Sequence, residues 1–170
     1  MSFASAITQK TSITKVSLGK TQEIKIKVHE KIKSDMQDDS VLIILNDQSF
    51  NIGKFDVIPF SYFSKAMKNQ ICMLAVFDSN NVNNDKLIKL YAEKNDEDEV
   101  VERCVNVNSV KKIGNSLLFL IRLNIGQQEY SAARKFLIEK KGLENDAKEN
   151  EILSNEKFNS INDVSEFLKN

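Results

Sequence analysis

Seven consecutive apolar residues, Ile71-Cys72-Met73-Leu74-Ala75-Val76-Phe77, stop abruptly at Asp78-Ser79-Asn80-Asn81. The run is far short of the roughly 20 residues that a membrane-crossing helix takes. It has the length of a strand buried on both faces. Similar runs lie on either side of it, at 41–45 and 117–123. Together the three predict one core large enough for a single stable domain, and the 170-residue length agrees.

The remaining segments are organised around these runs. Between residues 21 and 28, Ile24, Ile26 and Val28 alternate with Glu23, Lys25, Lys27 and His29. That alternation predicts a half-buried strand. Ile24, Val28 and Ile32 also fit a helix at i, i+4 and i+8, but the β-branched content favours the strand. Residues 33–40 read as a loop. A turn at 46–49 would let 50–52 return beside 41–45 as a hairpin. The phase of the alternation changes at Gly53, as at a β-bulge, and Pro59 ends that strand. Ser61 reads as the cap of a short helix over 61–70 that turns Tyr62, Phe63, Ala66 and Met67 inward. Residues 86–94 suit strand or helix and are taken as strand. Val101, Val105 and Val107 mark a further half-exposed strand. Tyr130, Ala133 and Leu137 form a helical stripe over 127–141, with Gly142 as its C-terminal stop. Ser160 and Asp163 open a last amphipathic helix whose stripe is Ile161, Val164, Phe167 and Leu168.

Strands come first and helices last, without β-α-β alternation. The expected fold is α+β and mostly β. It is an antiparallel sandwich or barrel of about seven or eight strands with two or three C-terminal helices. The expected organisation is a flexible N-terminus at 1–12, a β-rich core at 13–142 ending in a helix, a polar linker at 143–159, and the amphipathic helix at 160–170.

The chemistry-bearing residues argue against several functions. His29 is the only histidine and has no nucleophile or acid beside it in a recognised arrangement. It reads as a solvated side chain, and the chain reads as non-enzymatic. The five glycines are too dispersed for a phosphate-binding loop or a dinucleotide fingerprint. Asp96-Glu97-Asp98-Glu99 lacks the glycine and distal glutamate of a calcium loop, and Asp35, Asp38 and Asp39 read likewise as solvated. No metal or cofactor is expected. Cys72 and Cys104 sit in apolar runs without a Cys-x-x-Cys, so they read as buried free thiols, with a disulfide open only if their strands are neighbours. Residues 1–7 lack the pattern of a signal peptide, and no Asn-x-Ser/Thr sequon is present. The expected setting is therefore cytoplasmic, intracellular and reducing.

Two partner classes remain. With 24 basic and 24 acidic residues the net charge is zero, so any polyanion site must be local. Lys10, Lys15, Lys20, Lys25, Lys27, Lys31 and Lys33 form a basic stripe. With Lys111 and Lys112 it supplies an alternative reading as a nucleic-acid-binding module. The leading reading is a protein-interaction or assembly protein, with association with a partner or a second copy through Ile161, Val164, Phe167 and Leu168. The Asn-, Lys-, Ile- and Ser-rich composition fits a viral or phage structural or accessory role. Residues 71–81, an apolar strand ending in Asp78, resemble over about ten residues the signature element of the 30K-type viral movement proteins, whose core is a capsid-like β-sandwich. So short a resemblance assigns no family.

Overall fold

The computed structural model describes residues 13–15, 21–45, 48–65, 69–91 and 102–170. Parts of the sequence reading lie outside these residues: the N-terminus at 1–12, Lys20, residues 46–47 of the expected turn, Ala66 and Met67, residues 92–94 of the expected strand, the acidic stretch 96–99, and Val101.

Two antiparallel sheets pack face to face. The first has six strands. Ile13–Lys15 (β1) pairs with Phe50–Ile52 (β3), which pairs with Phe55–Ser64 (β4). Asn69–Asp78 (β5) and Lys86–Tyr91 (β6) continue the order, while Val41–Leu45 (β2) also pairs with β4. The second sheet has the order β10-β9-β8-β7, from Gly142–Asn145 (β10), Gln128–Glu139 (β9), Ser116–Ile125 (β8) and Glu102–Ile113 (β7). The result is a mixed α+β fold dominated by antiparallel sheets, sandwich-like and not closed into a barrel.

The 71–77 run lies in β5, at the centre of the first sheet, where both of its faces are buried. Cys72, Leu74 and Val76 face the second sheet and pack with Phe50, Phe119, Ile121 and Phe136. Ile71, Met73, Ala75 and Phe77 face the other way, onto a helix. That helix is α1, Thr21–Met36. It forms where a strand was expected over 21–28. Val28 and Ile32 are fully buried and Ile24 and Met36 flank them, so the i, i+4, i+8 stripe prevails. As a strand, the segment would have buried Ile26 with Ile24 and Val28; as a helix it leaves Ile26 53% exposed. The helix also takes in residues 33–36, which were expected in a loop.

β8 shows the corresponding alternation in the second sheet. Leu117, Phe119, Ile121 and Leu123 point into the sandwich, while Leu118 and Leu120 point out. The outer pair is covered by Ala147–Leu153 (α2), Ile161–Phe167 (α3) and the segment between them, through Leu153, Val164 and Phe158. The layers therefore run helix, sheet, sheet, helix. The 143–159 stretch, read as a polar linker, holds β10 and α2. Asn150 is what ties it down: its side chain accepts from Lys135 N at 2.6 Å and donates to Lys135 O at 2.8 Å.

Three hairpins share one chemical signal that corrects two further expectations. Ile52-Gly53, Ile113-Gly114 and Ile125-Gly126 each end a strand, and each glycine opens a two-residue loop. Gly53 and Gly126 have φ of 59° and 58°, the left-handed region that a two-residue hairpin loop of primed type requires. Residue 53 is thus a turn and not a bulge. The chain after Gly126 returns as β9, not as a helix over 127–141. Tyr130, Ala132, Phe136 and Ile138 alternate inward there, while the i, i+3, i+7 coincidence of Tyr130, Ala133 and Leu137 is incidental. Gly142 accordingly begins β10 and stops no helix. Residues 61–64 belong to β4, so the short helix over 61–70 does not form. Pro59 lies inside that strand, at the gap between the β2 and β3 pairings, where residues 58 and 59 have no partner on that side among the described residues. A residue without an N–H is tolerated at such an interruption. The expected hairpin of 41–45 with 50–52 does not form either, because β2 and β3 lie in line along the same edge of β4.

Cys72 and Cys104 are joined, with Cα atoms 5.4 Å apart. Their strands, β5 and β7, belong to opposite sheets, so the disulfide crosses the core of the sandwich. This overturns the expectation of free thiols in a reducing cytoplasm: a disulfide of this kind belongs to an oxidising environment. The register shift in β7 at 104/106 turns both Cys104 and Val107 inward where strict alternation would separate them, and a second shift at 107/109 does the same for Val107 and Val110. Among the described residues no helix is long and apolar enough to cross a membrane.

Candidate interaction site

β2 is paired with β4 on one side only, and among the described residues nothing pairs with its other edge. An open edge presents unpaired N–H and C=O groups, which proteins ordinarily blunt with charge, proline, bulges or shortness. The other edges of this sandwich are blunted in these ways. β1 has three residues. β6 carries Lys86 and Lys89 and meets a register shift at 72/73. β7 carries Arg103, Lys111 and Lys112 and two shifts. β10 has four residues, including Glu144.

β2 has none of these devices. Its sequence is Val-Leu-Ile-Ile-Leu, and its pairing with β4 is regular over all five residues. It was expected to be fully buried, but only Ile43 is. Val41 and Leu45 are partly covered by α1, while Leu42 and Ile44 are 55% and 54% exposed. Phe63, opposite Leu42 in the register, extends the apolar patch on the same face. Along the helix side of the edge runs a groove of about 350 Å³, lined by Lys25, Ile26, His29 and Glu30 of α1 and by Leu42 and Ile43 of β2. His29 thus lines this groove.

The helix wall of the groove is fixed by two polar clamps. At the end of α1, Asp38 accepts from Ser64 Oγ at 2.6 Å and from Ser40 N and Oγ at 2.9 and 2.7 Å. These bonds, that from Ser64 foremost, hold its carboxyl below the usual carboxylate range. Ser64 stands opposite Val41 in the register, so this clamp ties the helix end to the start of β2. On the far flank, Lys27 Nζ lies 4.0 Å from the centre of the Phe77 ring and 3.7 Å from Asp85. Asp85 accepts from Asp78 N at 2.7 Å. The Asp78 carboxylate, fully buried, accepts from Asn84 Nδ2 and Lys54 Nζ, each at 2.7 Å, and from Asn80 N at 2.9 Å. The Asn84 and Lys54 bonds hold its pKa down at about 2. Every one of these carboxylates is engaged by donors of the fold. Among the described residues no three His, Cys, Asp or Glu are grouped so as to hold a metal ion.

Of the sequence-derived candidates, Lys25 lines the groove and Lys27 flanks it, and the others lie elsewhere or outside the described residues. Val164 of the C-terminal stripe is buried, and Ile161, Phe167 and Leu168 pack beside it against β8, with Phe167 edge-on to Phe158 at 5.5 Å. The lysines form no stripe. Lys10 and Lys20 lie outside the described residues, Lys15 is in β1, and Lys25, Lys27, Lys31 and Lys33 spread around α1. Lys31 pairs with Asp35 at 3.1 Å. Lys111 and Lys112 belong to the other sheet, where they donate to Asn162 Oδ1 at 2.9 Å and to Gly114 O at 2.8 Å. The β2 edge escaped the sequence reading because an uncharged apolar pentapeptide reads alike as a central strand and as an unprotected edge. The signal that separates them, a neighbour on one side only, is not local. No family model, curated protein or solved structure matches this chain.

Proposed function

We propose that the protein is a non-enzymatic interaction module that takes an extended polypeptide segment onto the open edge of β2, beside α1. The single observation that carries this reading is that, among the described residues, β2 is the one sheet edge that is uncharged, regular and apolar on both faces. Strand addition uses such an edge: backbone hydrogen bonds supply affinity, and alternate side chains supply specificity. The groove supports the same mode, because side chains on the helix side of an added strand would enter it against Ile26 and Ile43. The flanking Lys25 and Glu30 carry opposite charges, which gives no preference for a polyanion over a mixed polypeptide.

The test is selection from a displayed library of random nonapeptides against the full chain. The expected product is peptides with alternating apolar residues that bind the natural protein and lose binding to Ile44→Lys. Ile44 is half exposed, so the lysine places a charge on the edge without entering the core. Selected peptides that bind both proteins equally would refute the reading, as would a failure to select any from a chain that is also monomeric in solution.

A further inference from the structure

We infer that the segment accepted by β2 is the β2 strand of a second copy of this chain, in an antiparallel pair about a two-fold axis at Ile43. This rests on the strand-addition reading above and names its occupant. Five features support it.

The first is symmetry. A C2 interface requires a surface patch that complements itself. An antiparallel pair of identical strands keeps each residue on its own face only if the sum of paired residue numbers is even, because a slip of one reverses every side chain. The register centred on Ile43 satisfies this and pairs all five residues. Leu42 then meets the partner copy's Ile44 on the exposed face, and Val41 meets its Leu45 on the helix face. Every cross-strand pair is apolar.

The second is exposure. The residues most in need of cover, Leu42 and Ile44, are the ones this register sets opposite each other. The third is charge. The two-fold brings the groove-lining edges of two α1 helices, each carrying Lys25 and Glu30, to the same side of the joined sheet, where opposite signs are available to each other. A chain with zero net charge also carries no overall repulsion between copies. The fourth is rigidity: the Asp38 clamp holds β2 in register with β4 before any partner arrives, so little ordering is needed on association. The fifth is the absence on β2 of the charges, bulges and shortness that guard the remaining edges against such pairing.

The experiment is sedimentation velocity on the full chain across a hundredfold range of concentration, with Ile44→Lys run in parallel. The expected result is a dimer that dissociates on dilution, and for the variant a dissociation constant weaker by at least about tenfold, since a two-fold interface loses the contact twice. A second variant, Leu42→Cys combined with Ile44→Cys, should yield a covalent dimer on mild oxidation, because directly opposed antiparallel residues have Cα atoms about 4.5–5.5 Å apart. A monomer at all concentrations overturns the inference, as does a dimer that Ile44→Lys leaves intact or that the cysteine pair fails to trap. If the chain is monomeric and the nonapeptides still bind in an Ile44-dependent way, only the choice of occupant fails. If neither forms, the edge reading falls with it.

Discussion

Reducing the Cys72–Cys104 bond tests the central claim about how the two sheets are held together. The cysteines are 32 residues apart in sequence. In the chain-entropy account, a cross-link of that span removes about 12 cal/mol/K from the unfolded ensemble, or roughly 3.7 kcal/mol at 25 °C. That is a large part of the ~5–15 kcal/mol by which domains are usually stable. For a chain of this size it corresponds to a fall in Tm of about 7–15 °C. At a urea m-value near ~2 kcal/mol/M it corresponds to a shift in midpoint of about 2 M. The assay is urea unfolding of the oxidised protein beside protein unfolded and refolded in reductant, which retains both sulfur atoms. A Cys72→Ala/Cys104→Ala chain provides the packing control. The reduced protein should also show a larger m-value, because its unfolded state is less constrained. Two free thiols per chain in denatured, unreduced protein would refute the pairing. A midpoint unmoved by verified reduction would refute the assignment of its effect to the unfolded state.

Asp78 makes the acid side of the stability curve predictable. Its folded pKa, about 2, lies below the ordinary 3.8, so its carboxylate stabilises the fold fully above about pH 4 and that contribution is lost as pH falls towards 2. Thermal melts between pH 5 and 2 should fall more steeply for the natural chain than for Asp78→Asn, and equal slopes would count against the clamp. Replacing Phe167 and Leu168 by Ala should lower the stability of the whole domain by about 3–5 kcal/mol, as for other large-to-small core changes, because these side chains pack on β8; an unchanged urea midpoint would mean that α3 does not contribute to the core. Tyr62 has a buried hydroxyl without a hydrogen-bond partner among the described residues, and burial, with the Asp38 charge, pushes its pKa up. Tyr62→Phe should therefore be neutral or stabilising by up to about 1 kcal/mol, and a loss of 2 kcal/mol in a denaturant titration would reveal a partner.

The fold class was legible in the sequence because the strongest signals were long apolar runs with abrupt polar ends, and β5 and β8 lie where those runs predict. The errors fall where two periodicities coincide. Residues 21–36 carry both a period-two and a period-3.6 pattern, and the docking of Val28 and Ile32 on β5 decides between them. Residues 127–141 carry the same conflict, resolved the other way by ten residues of pairing with β8. The repeated Ile-Gly step was a local signal for the hairpins and would have corrected both residue 53 and β9. The disulfide was not legible, because it joins strands in different sheets and the single register shift at 104/106 that sets Cys104 on the same face as Val107 has no local signal. The site was least legible of all: edge or centre is a property of the sheet and not of the strand.

The helices on the two outer faces have a consequence for how far any association can spread. With α1 on one side and α2 and α3 on the other, the sandwich is closed through its thickness, and sheet growth is confined to the plane. In that plane the opposite border of the first sheet is β6, which carries Lys86 and Lys89 and one register shift against β5. Among the described residues, a copy added at β2 therefore leaves no second uncharged apolar edge in that sheet, and growth by the same pairing stops at two copies.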